Sequence, residues 1–180
     1  AGVKKQLGDN LESLEKNILI INNFIRAISK TPPKKIIYFS SAAVYGEDIN
    51  FTDKISENTS VQPKTYYGIA KNTSELMLKK IDMKIQTSLL ILRPALVYGK
   101  EDLSYSYGPT GFIYKAINFE ELVLWGDGSE FREFIYVEDV AKIVDQLIHS
   151  NYNGILNIVS GQSYTFKQII ELNRVNLVLL

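Results

Sequence analysis

Apolar side chains recur at three- and four-residue steps through Leu11, Leu14, Ile18, Ile21, Ile25 and Ile28, and this rhythm predicts an amphipathic helix over residues 9–29. Thr31-Pro32-Pro33 stops it, because proline lacks the amide proton that a helix interior needs. The pattern then changes. In KKIIYFSS, residues 34–41, Ile36, Ile37, Tyr38 and Phe39 form an unbroken apolar run, which is the mark of a short buried strand. TSLLILRP, residues 87–94, has the same character and is stopped by Pro94. Between the two strands, Ile69, Leu76 and Ile81 supply part of one apolar side for a second helix over 66–81.

Downstream the alternation continues. GFIYKAINF reads as a helix, ELVLW as a strand, GDGSE as a turn and FREFIYV as a strand. EDVAKIVDQLIHS reads as a helix with acidic residues at its start, where the helix dipole favours them. GILNIVS is a further strand, and TFKQIIEL a helix with Thr165 as N-cap. Residues 46–65 and 99–111 are polar or rich in Gly, Ser and Tyr and read as loops. Strands alternating with helices of crossover length argue for an α/β fold with a largely parallel sheet.

Composition narrows the function classes. Twenty basic and twenty acidic residues cancel, which gives no support to a nucleic-acid or membrane-surface role. There are no cysteines, so thiol catalysis and cysteine-ligated metals are excluded. His149 is the single histidine and cannot build a histidine metal site alone; no clustered carboxylate pattern replaces it, so no metal is expected. No apolar run reaches the roughly 18 residues of a membrane helix, and no signal peptide is visible. A cytoplasmic setting is the expectation. The chain opens at Ala1 without Met or an opening strand and ends on NRVNLVLL, which leads us to expect a piece of a longer enzyme.

The stretch TYYGIAKN, residues 65–72, carries candidate chemistry. On a helix, Tyr67 faces Lys71 at i+4, whereas Tyr66 faces Ala70. A free tyrosine ionises near pH 10, and a neighbouring ammonium favours its phenolate, which makes a general base or acid for neutral pH. Upstream, Ser40 and Ser41 stand at the end of a buried strand, where ligands of open parallel sheets sit. Both serines are also suited to satisfying backbone groups in the turn that follows.

Four blocks occur in order: SSAAVYG, PKTYYGIAKNTSE, ILRPALVYG and WGDGSEFREFIYVEDVA. Together they resemble the extended short-chain dehydrogenases, specifically the nucleotide-sugar epimerase and dehydratase group, over nearly the whole chain. The resemblance implies a partial Rossmann-like parallel sheet with flanking helices, joined to a small α/β substrate-binding part. Residues 1–95 would be the C-terminal part of the NAD-binding domain. Residues 96–180 would be mostly substrate-binding, with some segments returning to the first part. By the same resemblance Tyr67 is the catalytic tyrosine, Lys71 lowers its pKa and holds the nicotinamide ribose, and Ser41 hydrogen-bonds the reacting sugar hydroxyl. Lys4, Asn17, Ser40 and Pro94 join Tyr67 and Lys71 as implied cofactor contacts. Arg132 resembles the arginine that grips the nucleotide diphosphate, a task its fork of donors suits; the alternative is pairing with Glu130 or Glu133. The resemblance also implies a homodimer through the helices at 9–29 and 66–81.

The departures matter as much. No Gly-rich strand-turn-helix opens the chain, and Gly126-Asp127-Gly128 is followed by strand-like residues rather than the helix a pyrophosphate needs. Weak NAD binding by these residues alone is therefore expected; NADP is an alternative cofactor, since the discriminating segment is absent. Ala95 and Leu96 stand where members often place an asparagine near the sugar, and another is missing around Gly111-Phe112. Where dehydratases of the group carry Thr-Asp-Glu, this chain has Ser41-Ala42-Ala43, which removes the acid and base for elimination. An NAD-dependent nucleotide-sugar epimerase is the expectation. The alternatives are a reductase or decarboxylase of the same family, or a non-catalytic assembly module.

Overall fold

The computed structural model describes residues 9–46, 54–100, 108–123 and 127–177. Lys4, the loop segment 101–107 and the end of the expected strand ELVLW lie outside them. The chain divides into two compact units. The first comprises residues up to Pro94 together with Leu147–Ile158, and the second Ala95–Gln146 with the residues from Val159 onward.

In the first unit, helix α1 spans Leu11–Lys30 and is capped by the Asn10 side chain, which accepts from Ser13 N at 2.9 Å. Strand β1 (Lys35–Phe39) leads into a 3-10 turn (Ala42–Tyr45), then helix α2 (Tyr66–Ile85) and strand β2 (Ser88–Pro94). Strand β5 (Gly154–Ile158) completes a parallel sheet in the order β1-β2-β5. Central β2 is buried from Leu89 through Arg93, as its apolar run predicts for a strand covered on both faces. Ile21 and Ile28 of α1, Leu78 of α2, Ile36 of β1 and Leu89 and Ile91 of β2 form one core cluster. Each such side chain contributes about 1.5–3 kcal/mol on burial. Lys35 pins the returning segment by donating to the carbonyls of Leu147 (2.5 Å) and Ser150 (2.7 Å).

The second unit holds strand β3 (Leu96–Tyr98), helix α3 (Gly108–Ile117), strand β4 (Phe131–Tyr136), most of helix α4 (Val137–His149), strand β6 (Ser163–Thr165) and helix α5 (Phe166–Leu177). Its sheet is mixed: β3 runs parallel to β4, and β6 antiparallel to it. Phe112, Phe134 and Ile169 form its core, and the Phe166 ring meets Phe112 and Phe134 edge-on at 6.0 and 6.2 Å. Thr165 caps α5 as expected: its Oγ1 accepts from Gln168 N at 3.1 Å, and Gln168 Oε1 accepts from Thr165 N at 2.8 Å, a reciprocal capping box.

Three expectations are corrected. Residues 121–123 are irregular rather than strand. The helix expected from Gly111 begins at Gly108, and it ends at Ile117, two residues before Phe119. Pro94 does not end extended structure: after Ala95 the chain forms β3 in a different sheet, because proline tolerates the last ladder position while the next residues find new partners on β4.

Candidate active site

The site is built where β1 ends. Ser40 N donates to Leu92 O at 2.7 Å, which carries the ladder one residue past Phe39. Ser41 is extended and caps the 3-10 turn, its Oγ accepting from Ala43 N at 3.1 Å. The hydroxyl proton of Ser41 has no acceptor among the described residues. Ser40 behaves differently: it is buried, and its hydroxyl donates to Glu75 Oε1 at 2.5 Å. Of the two serines, Ser41 is the one with a donor left to offer.

Helix α2 starts beside this turn. The Thr65 side chain caps it by accepting from Gly68 N at 3.0 Å, and Tyr67 N donates to Asp9 Oδ1 at 3.4 Å. Gly68 is required for the approach. A Cβ there would lie 2.7 Å from Ala43 O and 3.0 Å from Pro63 Cβ, inside van der Waals contact. Gln62 N donates to Val44 O at 2.9 Å and ties the segment before the helix to the same turn. The first turn of α2, which carries Tyr67, is thereby seated on the turn that Ser41 caps.

Lys71 lies one helical turn further on. Its Nζ donates to Phe39 O at 2.7 Å and sits 5.1 Å from the centre of the Tyr38 ring and 5.7 Å from that of Tyr67. Burial pushes the Lys71 ammonium below its ordinary value, and the Glu75 carboxylate opposes that shift. Two tyrosines therefore flank one cation. Burial pushes the Tyr38 hydroxyl above its ordinary value, tempered by a hydrogen bond with Ser74 and reinforced by Glu75. A phenolate is thereby disfavoured at Tyr38. Tyr66 is exposed.

The remaining candidates are more dispersed. Pro94 closes β2 in register with Ile158. Asn17 is half-buried, and its amide donates to Ser13 O at 2.8 Å within α1. Arg132 belongs to the second unit, where it pairs with Glu130, one of the two carboxylates expected as partners, and donates to Phe131 O at 3.0 Å. Tyr45 is fully buried and hydrogen-bonded through its hydroxyl.

Sequence reasoning missed Glu75 and Arg93. Two signals were present. Tyr67, Lys71 and Glu75 follow one another at four-residue steps along a helix face, and Arg93 interrupts the apolar run of a central strand. Groups of that polarity enter such positions only when paired.

A proton donor (Ser41), a phenol (Tyr67) and a half-buried ammonium (Lys71) at the carboxyl end of a parallel sheet suit oxygen-centred acid–base chemistry beside a ligand rich in hydroxyls. The family model described as "NAD dependent epimerase/dehydratase family" matches residues 1–159. A putative UDP-glucose 4-epimerase of Methanocaldococcus jannaschii is 32% identical over 160 residues, covering 87% of this chain and 51% of that protein. Among solved structures, the UDP-N-acetylglucosamine 4-epimerase of Methanobrevibacter ruminantium M1, in complex with UDP-N-acetylmuramic acid, superposes with a TM-score of 0.77 at 33% identity, over 87% of this chain and 51% of that one. The UDP-glucose 4-epimerase of Thermotoga maritima, with UDP-glucose, gives 0.81 at 27% identity over 90% and 53%. The chain thus spans about half the length of the relatives it matches. It belongs to the NAD dependent epimerase/dehydratase family.

Proposed function

We propose that this chain is the catalytic-tyrosine part of an NAD-dependent epimerase that inverts one carbon of a nucleotide-diphosphate sugar through a transient keto stage. The observation that carries the reading is the seating of Tyr67, Lys71 and the Ser41 turn together at the end of β1. The residues present fit the nicotinamide-ribose end of the cofactor. Lys71 gives one N–H to Phe39 O and, as an ammonium, has two more donors to offer ribose hydroxyls. When bound, NAD supplies a reversible hydride acceptor for the carbon that bears the reacting hydroxyl.

The chain's own residues handle the proton. Ser41 donates to the sugar oxygen and orients it. Tyr67, as phenolate, takes the proton from that oxygen. Because epimerisation leaves no net oxidation, Tyr67 then returns the same proton to the same oxygen. Lys71 keeps a positive charge beside Tyr67 while the proton is away, which favours the phenolate. In this reading residues 1–95 serve the cofactor and most of 96–180 the substrate. Pro94 lines the cofactor side, and Arg132 exchanges Glu130 for the diphosphate, which the planar guanidinium matches as a fork.

Replacing Tyr67 with Phe in the complete enzyme should lower kcat by a factor of about 100 to 10,000, the range of a lost general acid–base. The fold should persist, since only a hydroxyl is removed. Sugar interconversion followed by proton NMR checks this, and full turnover in the variant refutes it. A net gain or loss of NADH absorbance during turnover would instead point to a reductase.

The same reading includes a homodimer. Leu19 and Ile20 of α1 and Leu76 and Met83 of α2 are exposed, an apolar surface suited to a second copy. Sedimentation equilibrium should give twice the chain mass, and a monomer at micromolar concentration removes this part. A cytoplasmic setting accords with the lack of cysteines. Among the described residues no helix is long and apolar enough to cross a membrane.

A further inference from the structure

The proposed chemistry leaves unused two almost fully buried charges of the first unit. Glu75 is 1% exposed and Arg93 3%. Arg93 donates to both carboxylate oxygens, Nε to Oε1 at 3.0 Å and Nη2 to Oε2 at 2.6 Å. Oε1 also accepts from Ser40 Oγ at 2.5 Å. Arg93 Nη1 donates to Tyr45 Oη at 2.8 Å, and that hydroxyl donates to Asn157 Oδ1 at 2.8 Å. The guanidinium carbon lies 4.9 Å from the centre of the Tyr45 ring.

Four of its members stand close along the chain to candidate site residues. Ser40 precedes Ser41, and Tyr45 ends the turn that Ser41 caps. Glu75 lies one helical turn beyond Lys71 and two beyond Tyr67, and Arg93 precedes Pro94. The network joins β1, the 3-10 turn, α2, β2 and β5. Stability is a poor reason for such a cluster, because well-packed apolar side chains serve a buried pair's place at least as well. Directional bonds do something apolar contacts cannot: they admit one relative placement of the elements they join, whereas an apolar interface tolerates sliding.

We propose that Glu75 is a positioning residue. Through Ser40, Arg93 and Tyr45 it fixes the Ser41 turn against α2, so that the hydroxyls of Ser41 and Tyr67 converge on one substrate oxygen. The contact of Gly68 with Ala43 O is the second point of the same frame. This rests on the epimerase reading above.

The test uses two variants. Glu75→Leu with Arg93→Met removes both charges at similar volume, and Tyr45→Phe removes a single hydroxyl. In the complete enzyme the double variant should keep its melting temperature within a few degrees and lose kcat by about 100-fold, the cost of a small misplacement of reacting groups. KM should change by less than about threefold. Tyr45→Phe should show a smaller loss of the same kind. A second readout needs neither cofactor nor substrate. Amide hydrogen exchange at Ala43 and Gly46, whose N–H groups close the Ser41 turn, should accelerate about tenfold or more in the double variant.

Native kcat and native exchange in a folded double variant overturn the proposal. So does loss of activity that tracks loss of thermal stability, with kcat and KM moving together. If the double variant does not fold, Tyr45→Phe decides, and its native kcat with native exchange overturns the proposal. If the unsubstituted enzyme performs no epimerisation, the functional reading falls, and exchange alone decides the positioning role: acceleration supports it and unchanged rates overturn it.

Discussion

Each unit carries an arginine–carboxylate pair, and the two pairs do different work. Arg93 and Glu75 in the first unit have side chains only 3% and 2% exposed, with Ser40 and Tyr45 as further hydrogen-bond partners. Arg132 and Glu130 in the second unit are 24% and 44% exposed, two residues apart on one segment. The same chemistry is thus a fixed part of the scaffold in one place and an exchangeable surface contact in the other. Water makes the difference. A buried charge that loses its partner keeps its desolvation cost, whereas an exposed one recovers its hydration.

The strongest way to break this contrast is to remove one member of the buried pair. Glu75→Ala should destabilise the fold by about 3–5 kcal/mol in urea unfolding, because Arg93 is left charged and unpaired. A loss below about 1 kcal/mol would put the two pairs on equal terms. Gly68→Ala should follow at about 1–3 kcal/mol, since the added methyl meets the backbone oxygen of Ala43, which cannot swing aside as a side chain can.

Lys71 sharpens the comparison from the side of pH. Burial holds it below its ordinary value of 10.5. In the alkaline window below 10.5 the unfolded chain therefore binds more protons at this position than the folded one. Stability of the native chain should rise with pH there relative to Lys71→Met, as read by urea midpoints across that window. A flat difference would mean that Glu75 offsets the whole burial cost. The smallest effect belongs to the surface pair: Glu130→Ala should change unfolding free energy by less than about 1 kcal/mol.

Much of the fold was legible because local rules decided it. The rhythm of Leu11 to Ile28 specified α1, and the apolar run of β2 announced a strand buried on both faces. Helical spacing alone chose Tyr67 over Tyr66 to face Lys71, and the two sit with ring and ammonium 5.7 Å apart. The misses have a common cause. Residues 121–123 have strand-like composition but no ladder partner among the described residues, and composition cannot supply one. Leu96–Tyr98 became a strand because β4, more than thirty residues later, offers a parallel edge.

The sequence by itself determined the alternation of helix and strand, the four-residue step from Tyr67 to Lys71, and the place of Ser41 at a strand end. These follow from neighbours within a turn or two. Only the tertiary structure decided that Arg93 answers Glu75 across eighteen residues, that Ser40 turns inward while the Ser41 hydroxyl finds no acceptor among the described residues, and that Tyr38, its hydroxyl pushed up by burial, shares the Lys71 ammonium with Tyr67. The physical reason is that burial and partnership are set when the β1–α2–β2 crossover closes. Until then each of these side chains has water as its partner.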